Sequence, residues 1–312
     1  TPAEPGLTVY VHDDMAIMPL VGGNAISDEE FSLIQSLVKK QVGIALSEHK
    51  RSLVASRLGK RLRALGLPSL RMYYDYLTGP DGTAELENFV NAMTTNKTDF
   101  YRERVHFDFL ERELVPALKT RAVQTGERKI RIWSAGCSTG EEPYTIALTL
   151  CEALGRMPAW DVRILASDVD TSVLSQAAAG IYPLERVREI PPALRERYFL
   201  RGTGSKAGLV KVKREMQSLI TFRRINLLEE PWPVRTVFDC IFCRNVIIYF
   251  DRPTQCRLMS RFAKYVKDDG YLFLGHSESL HGVCDQFTFL RNTIYRRLPA
   301  HNAARPAAEG RM

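Results

Sequence analysis

Apolar positions change their period as the chain proceeds. From residue 27 to residue 93 they recur every three or four residues, the spacing of amphipathic helices. Phe31, Ile34, Leu37 and Val38 share one face of a first helix, opened by Ser27 and Glu30 in a capping-box pattern. A second helix is predicted over 47–65 with Leu53, Val54, Leu58, Leu62 and Leu65 inward, then two shorter ones around 72–77 and 83–93. Residues 94–103 are polar and aromatic together and poorly periodic, without the Gly, Ser and Pro of an ordinary linker, and so read as a functional connector. Helix resumes over 105–125 and ends at Gly126.

Beyond Gly126 the apolar runs shorten to strand length and alternate with helical stretches. Strands are expected at 129–132, 162–168, 237–243 and 270–275, helices at 145–154, 173–179 and 255–266, and a closing hairpin at 287–290 with 294–298. Such alternation predicts a parallel sheet covered by helices. After a loop at 180–183, the period-two run 209–213 pairs in this reading with 219–225 as a small antiparallel insert over about 200–225. Its open edge offers an extended peptide a place to add a strand. The chain thus divides into a flexible arm (1–26), a helical domain (27–93), a connector with linking helix (94–125), an α/β domain (126–298) and a flexible tail (299–312).

Composition changes this picture little. The 312 residues are 45% hydrophobic and 25% charged, ordinary for a globular protein, and the net charge of +7 suggests an acidic partner. Six cysteines without framework spacing point to reduced thiols and a cytoplasmic location. Cys240 and Cys243 form a C-x-x-C inside an apolar run with no matching Cys or His pair, so no metal site is expected. No stretch nears the roughly 20 apolar residues needed to span a bilayer, and no signal pattern opens the chain, so neither membrane insertion nor export is expected. The second helix carries Lys50, Arg51, Arg57, Lys60, Arg61 and Arg63 uninterrupted by acids. This face is either plain solvated surface or a dock for an acidic helix; the lack of interleaved aromatics argues against nucleic acid.

The candidate chemistry sits at Ser134-Ala135-Gly136-Cys137-Ser138-Thr139-Gly140-Glu141-Glu142-Pro143-Tyr144, between the first central strand and its helix. Gly136 and Gly140 let the backbone approach a ligand closely. The spacing is not that of dinucleotide enzymes, and two carboxylates at the helix start would repel a pyrophosphate while welcoming an amino group. S-adenosylmethionine, with an ammonium, a sulfonium and no phosphate, suits such a turn. The next strand ends at Asp168, placed to accept from ribose hydroxyls, while Asp170 suits the cap of the following helix. Asn226-Leu227 could face the adenine, and Arg244, Asn245 and Tyr249 follow a strand end beside the glycine turn. His276 also ends a strand there, with no triad partner arranged, and takes no chemistry in this reading.

Four runs in order, residues 94–103, the glycine turn, Ala166-Ser167-Asp168-Val169-Asp170 and Phe242-Cys243-Arg244-Asn245-Val246-Ile247-Ile248-Tyr249-Phe250, resemble those of CheR-type chemotaxis receptor methyltransferases. The resemblance covers about residues 27–298. It implies an α/β, Rossmann-like methyltransferase fold with a small N-terminal all-α domain and a small antiparallel β insert. It also implies methyl transfer from S-adenosylmethionine to glutamate side chains of methyl-accepting chemoreceptors, leaving S-adenosylhomocysteine, without metal or nucleic acid. Asn96, Thr98, Arg102, Glu142, Asp168, Asn226, Leu227, Arg244 and Asn245 would line the cofactor pocket, with Arg102 and Tyr249 nearest the transferred methyl. Arg57, Lys60, Arg61 and Arg63 would dock the acidic methylation helices. In some members the insert captures a peptide tether at the receptor C-terminus, and the short 202–208 loop is similar to theirs. Tyr101 stands where the family often has a second Phe. The rival readings are a methyltransferase of RNA or a small molecule on the same fold, and a non-catalytic cofactor-binding module that scaffolds receptors.

Overall fold

A computed structural model describes residues 26–155 and 159–299. The expected arm and tail fall, but for residues 26 and 299, outside this range. Four helices form the N-terminal unit: α1 (Asp28–Val42), α2 (Arg51–Leu65, entered through a 3-10 turn), α3 (Leu70–Thr78) and α4 (Thr83–Met93). Ser27 caps α1, its hydroxyl accepting from the Glu30 amide while Glu30 returns a carboxylate to the Ser27 amide. Phe31, Ile34, Leu37, Val38, Val54, Leu58 and Leu62 bury together with Tyr73 and Phe89. Leu53 and Leu65, expected inward, are 39% and 37% exposed. Leu53 lies a third of a turn off the Val54–Leu58–Leu62 stripe, and Leu65 ends the helix against the left-handed Gly66.

The connector leads into α5 (Val105–Phe109), which passes through a π turn (Leu110–Leu114) into α6 (Val115–Thr125). Then follow β1 (Lys129–Ala135), α7 (Glu141–Leu154), β2 (Asp161–Asp168), α8 (Thr171–Ala179), β3 (Ile181–Pro183), α9 (Pro192–Tyr198), β4 (Phe199–Arg201), β5 (Leu209–Val212) and α10 (Arg214–Gln217). The chain continues through β6 (Ile220–Arg224), β7 (Phe238–Cys243), α11 (Arg252–Tyr265), β8 (Val266–Leu274), β9 (Phe287–Arg291) and β10 (Ile294–Arg297).

Seven strands make one sheet in the order β6-β2-β1-β7-β8-β10-β9. The first five are parallel and the last two antiparallel. All six residues of β7 are buried, as a strand covered on both faces requires. On one side Phe242 stacks on Phe273 at 4.2 Å; on the other Trp133 packs edge-on to Trp232 and Phe262. Cys240 and Cys243 are free thiols within this core.

The insert differs from expectation. Its three strands are β3, β5 and β4, so residues 181–183, read as loop, are a strand, and the small sheet spans 181–212. The 220–224 run instead pairs in parallel with β2 as the edge of the large sheet, where Phe222 packs against Tyr144. Alternation in the sequence marks a strand but not its partner; a four-residue helix, α10, turns the chain from one sheet to the other. Among the described residues no helix is long and apolar enough to cross a membrane.

Candidate active site

The strand order reverses between β1 and β7, and a crevice opens at the carboxyl ends of β2, β1 and β7, where open α/β sheets place ligands. Its floor is the turn from β1 into α7. Gly136 has φ 85°, and a Cβ there would lie 2.4 Å from Val246 Cγ2; at Gly140, with φ 96°, it would lie 2.8 Å from the Ala177 Cβ. Neither position admits a side chain without displacing its neighbours, and at Gly136 bare backbone lines the crevice. The two carboxylates at the start of α7 part company. Glu142 enters the crevice, accepting from Ser134 Oγ at 2.7 Å. Glu141 turns away to Arg186 Nη2 at 2.5 Å, and that guanidinium also holds the Thr98 carbonyl and Asp99.

Asp168 ends β2 and accepts from the amides of Ser138 at 2.8 Å and Asp170 at 3.1 Å. Burial outweighs these bonds and pushes its carboxyl up to about 6. Asp170 caps α8 through the Ser172 and Val173 amides. Its second oxygen takes Thr94 Oγ1 and Asn96 Nδ2, both at 2.7 Å, clasping the connector to the sheet. Ser138 adds a bond from its hydroxyl to the Asn96 carbonyl at 2.8 Å.

Across the crevice Arg244 is buried between two carboxylates. Its Nη1 donates to Glu142 Oε2 at 3.1 Å, and its Nη2 to Glu103 Oε2 at 3.1 Å and to the Arg102 carbonyl. Burial raises the Glu142 carboxyl, against the pull of Arg244 and Ser134. Glu103 is also desolvated, but Arg244 and the His276 amide hold it below the usual carboxylate range. Asn245, left-handed at φ 58°, donates its amide N–H to Glu278 Oε2 at 2.8 Å; the same carboxylate receives the Gly275 and Ile248 amides. Behind Glu103, the fully buried His106 donates Nε2–H to the Asn292 carbonyl at 2.7 Å, and burial with the nearby Arg244 pushes it down to about 4.

One cavity is lined by all the residues picked out from the sequence for cofactor and chemistry. Asn96, Thr98 and Arg102 come from the connector, Gly136 and Glu142 from the glycine turn, and Asp168 from β2. Asn226 and Leu227 follow β6, and Arg244, Asn245 and Tyr249 follow β7. Arg102 Nη1 donates to the Lys97 carbonyl at 2.5 Å. Val42 and Ile44 of the helical unit add an apolar wall, joined to the sheet where Asn226 donates to the Gln41 carbonyl and Ala45 to that of Tyr249. The basic face of α2 is smaller than expected. Arg57 turns inward to the Met93 and Thr94 carbonyls at 3.0 and 2.8 Å, capping α4, and Arg61 forks onto the buried Glu85 at 2.8 and 2.7 Å. Lys60 and Arg63 stay exposed. Arg57 and Arg61 are therefore half-buried and engaged within the helical unit, because the α4 segment supplies the acceptors that α2 lacks.

Glu103 and Glu278, which hold Arg244 and Asn245 from behind the cavity lining, have no role in the sequence reading. Glu103 lay within the connector run without a visible partner, and the carboxylate three residues after Gly275 was the one available hint for Glu278. Donor atoms of Glu103, His106 and His276 lie within 4.8 Å of one another, but Arg244 already occupies the Glu103 oxygen that would face a cation.

The acceptors suit a ligand with hydroxyls at one end and an ammonium at the other. Asp168 and Glu142 are acceptors in the same cavity, the bare Gly136 lies on the wall, and the charge of Arg244 is already met by two carboxylates. Known proteins agree. Residues 96–296 match the family model described as CheR methyltransferase, SAM binding domain, and residues 29–94 match that for the CheR methyltransferase all-alpha domain. Chemotaxis protein methyltransferase 2 of Pseudomonas aeruginosa is 46% identical over 86% of this chain and 92% of its own. The chemotaxis protein methyltransferases of Salmonella typhimurium and Escherichia coli are 44% and 43% identical, each over 87% of this chain and 91% of theirs.

Proposed function

The chain belongs to the CheR methyltransferase family, and from that membership we propose that it methylates glutamate side chains of chemoreceptors, using S-adenosylmethionine. The single observation that carries the reading is the shared cavity, with Asp168 and Glu142 as acceptors and Arg102 and Tyr249 on the same lining. When bound, the cofactor supplies an electrophilic methyl on a sulfonium. In this proposal Asp168 takes the ribose hydroxyls, Glu142 the ammonium, and Asn226 and Leu227 the adenine edge and face.

The acceptor needs no general base. A glutamate carboxyl of pKa about 4.3 is already ionised at neutral pH. The protein's task is to aim it, and positioning is worth up to about 7–11 kcal/mol in favourable cases. Arg102 and Tyr249 orient the incoming carboxylate. A full ion pair from Arg102 to the attacking oxygen would blunt that oxygen, so Arg102 holds the other one or the cofactor. The exposed Lys60 and Arg63 steer acidic receptor helices toward the crevice, and the edges of the β3-β5-β4 sheet offer a place for a receptor tether.

The test is one assay with radiolabelled S-adenosylmethionine and receptor cytoplasmic fragments, with and without their C-terminal tails. Base-labile label on glutamates is expected. Label on RNA instead, or cofactor binding with no transfer to any fragment, would replace this reading with one of its rivals.

A further inference from the structure

Glu103 stands behind the cavity and not on its lining, although Arg244, Asn245 and Glu142 all line it. It is nonetheless fully engaged. Oε1 accepts from Asn245 Nδ2 at 3.3 Å and the His276 amide at 3.2 Å; Oε2 accepts from Arg244 Nη2 at 3.1 Å and Nε at 3.4 Å. A carboxylate offers about four acceptor positions, and these four donors fill them. His106 closes the back: with its proton on Nε2, its Nδ1 faces Glu103 Oε2 at 3.6 Å and makes no hydrogen bond.

The backbone is strained to put this carboxylate there. Glu103 has φ 58° and Tyr101 φ 55°, left-handed values that side-chain-bearing residues rarely adopt. Such outliers persist where surrounding structure enforces them, and often where function uses them.

Arg244 is the object of the arrangement. A guanidinium and a carboxylate left to themselves close into a two-bond fork. Here Glu142 receives a single bond from Arg244, from Nη1 to Oε2, while Nη2 and Nε of the same guanidinium go to Glu103. Ser134 takes one position on Glu142 Oε1, so Glu142, which lines the cavity, keeps acceptor capacity beyond these two bonds.

We propose that Glu103 is a positioning residue: by sharing Arg244 it prevents a fork with Glu142 and keeps a Glu142 oxygen available to the ammonium of the cofactor. The inference rests on the cofactor site proposed above. It predicts that Glu103 matters for the amino-acid end of the cofactor and not for its nucleoside end.

Two ligands separate these ends. S-adenosylhomocysteine carries both, whereas 5′-methylthioadenosine keeps the adenine, ribose and thioether but lacks the aminocarboxylate. In calorimetric titrations Glu103→Gln should weaken S-adenosylhomocysteine about tenfold or more, the scale of one charge-assisted hydrogen bond, with 5′-methylthioadenosine changed less than about twofold. Glu142→Gln should show the same selectivity, and adding Glu103→Gln to it should cause no further loss. Equal weakening of both ligands by Glu103→Gln, no weakening of S-adenosylhomocysteine, or additive losses in the double variant would each overturn the proposal. If Glu103→Gln does not melt cooperatively, Glu103→Asp takes its place; it keeps the charge but retreats from Arg244, and an intermediate loss confined to S-adenosylhomocysteine is expected. A wild-type chain that binds neither ligand would sink the cofactor site itself, a different failure from uniform loss in the variants.

Discussion

In the proposed cofactor site, Asp168 would tie binding to pH through one carboxyl. A diol donates to the ionised form, so affinity for S-adenosylhomocysteine should fall as pH drops through about 6, where burial places this group. Asp168→Asn should bind about 10- to 100-fold more weakly at pH 7.5 and lose that pH limb; an unchanged limb in the variant would move the titration elsewhere. The effect on the empty fold has the opposite sign. A carboxyl raised above its unfolded value of 3.8 stabilises the native state below that pH, and the contribution is lost as pH rises through about 6. Tyr249→Phe should lower turnover while S-adenosylhomocysteine affinity stays within about threefold, since a group that only aims the acceptor contributes little to cofactor binding. At Glu103, His106 and His276, where Arg244 already holds the carboxylate, chelation by EDTA is expected to leave transfer unchanged; activity lost to EDTA and restored by zinc would overturn that expectation. Gly136, Asp168 and Arg244 were legible because each sits at a strand end in a recognisable run. Glu103 was not, since its partner Arg244 lies 141 residues away.

At the level of elements, α2 divides its cations between two uses. Arg61→Ala would strand Glu85, which is 5% exposed and also takes Tyr73 and Asn88. A loss of about 3 kcal/mol in chemical denaturation is expected. Lys60→Ala with Arg63→Ala should leave stability unchanged and raise KM for a receptor fragment about three- to tenfold at low salt, less at high salt. No change at any ionic strength would place receptor docking elsewhere. The periodicity of α2 showed its core stripe at Val54, Leu58 and Leu62, but not which arginines α4 would claim. The same limit appears in the insert: residues 209–212 and 220–224 both read as strands, and only tertiary packing sends the second into the large sheet beside β2.

On the scale of the whole molecule, the cavity walls come from residues 42 to 250, drawn from the helical unit, the connector and four strand ends of the sheet. Clasps fix these parts to one another: Asp170 to Thr94 and Asn96, Asn226 to Gln41, and Tyr249 to Ala45. A ligand that touches every wall can bind only where all of them have assembled. Its binding energy is therefore added to the cohesion of both units at once. Calorimetric scanning with saturating S-adenosylhomocysteine should merge any separate melting of the helical unit into a single, later transition. A protease nick in the connector should abolish that shift even if both pieces stay folded. The small molecule consumed in the reaction would then serve a second purpose, as the stitch that reports whether the chain is whole.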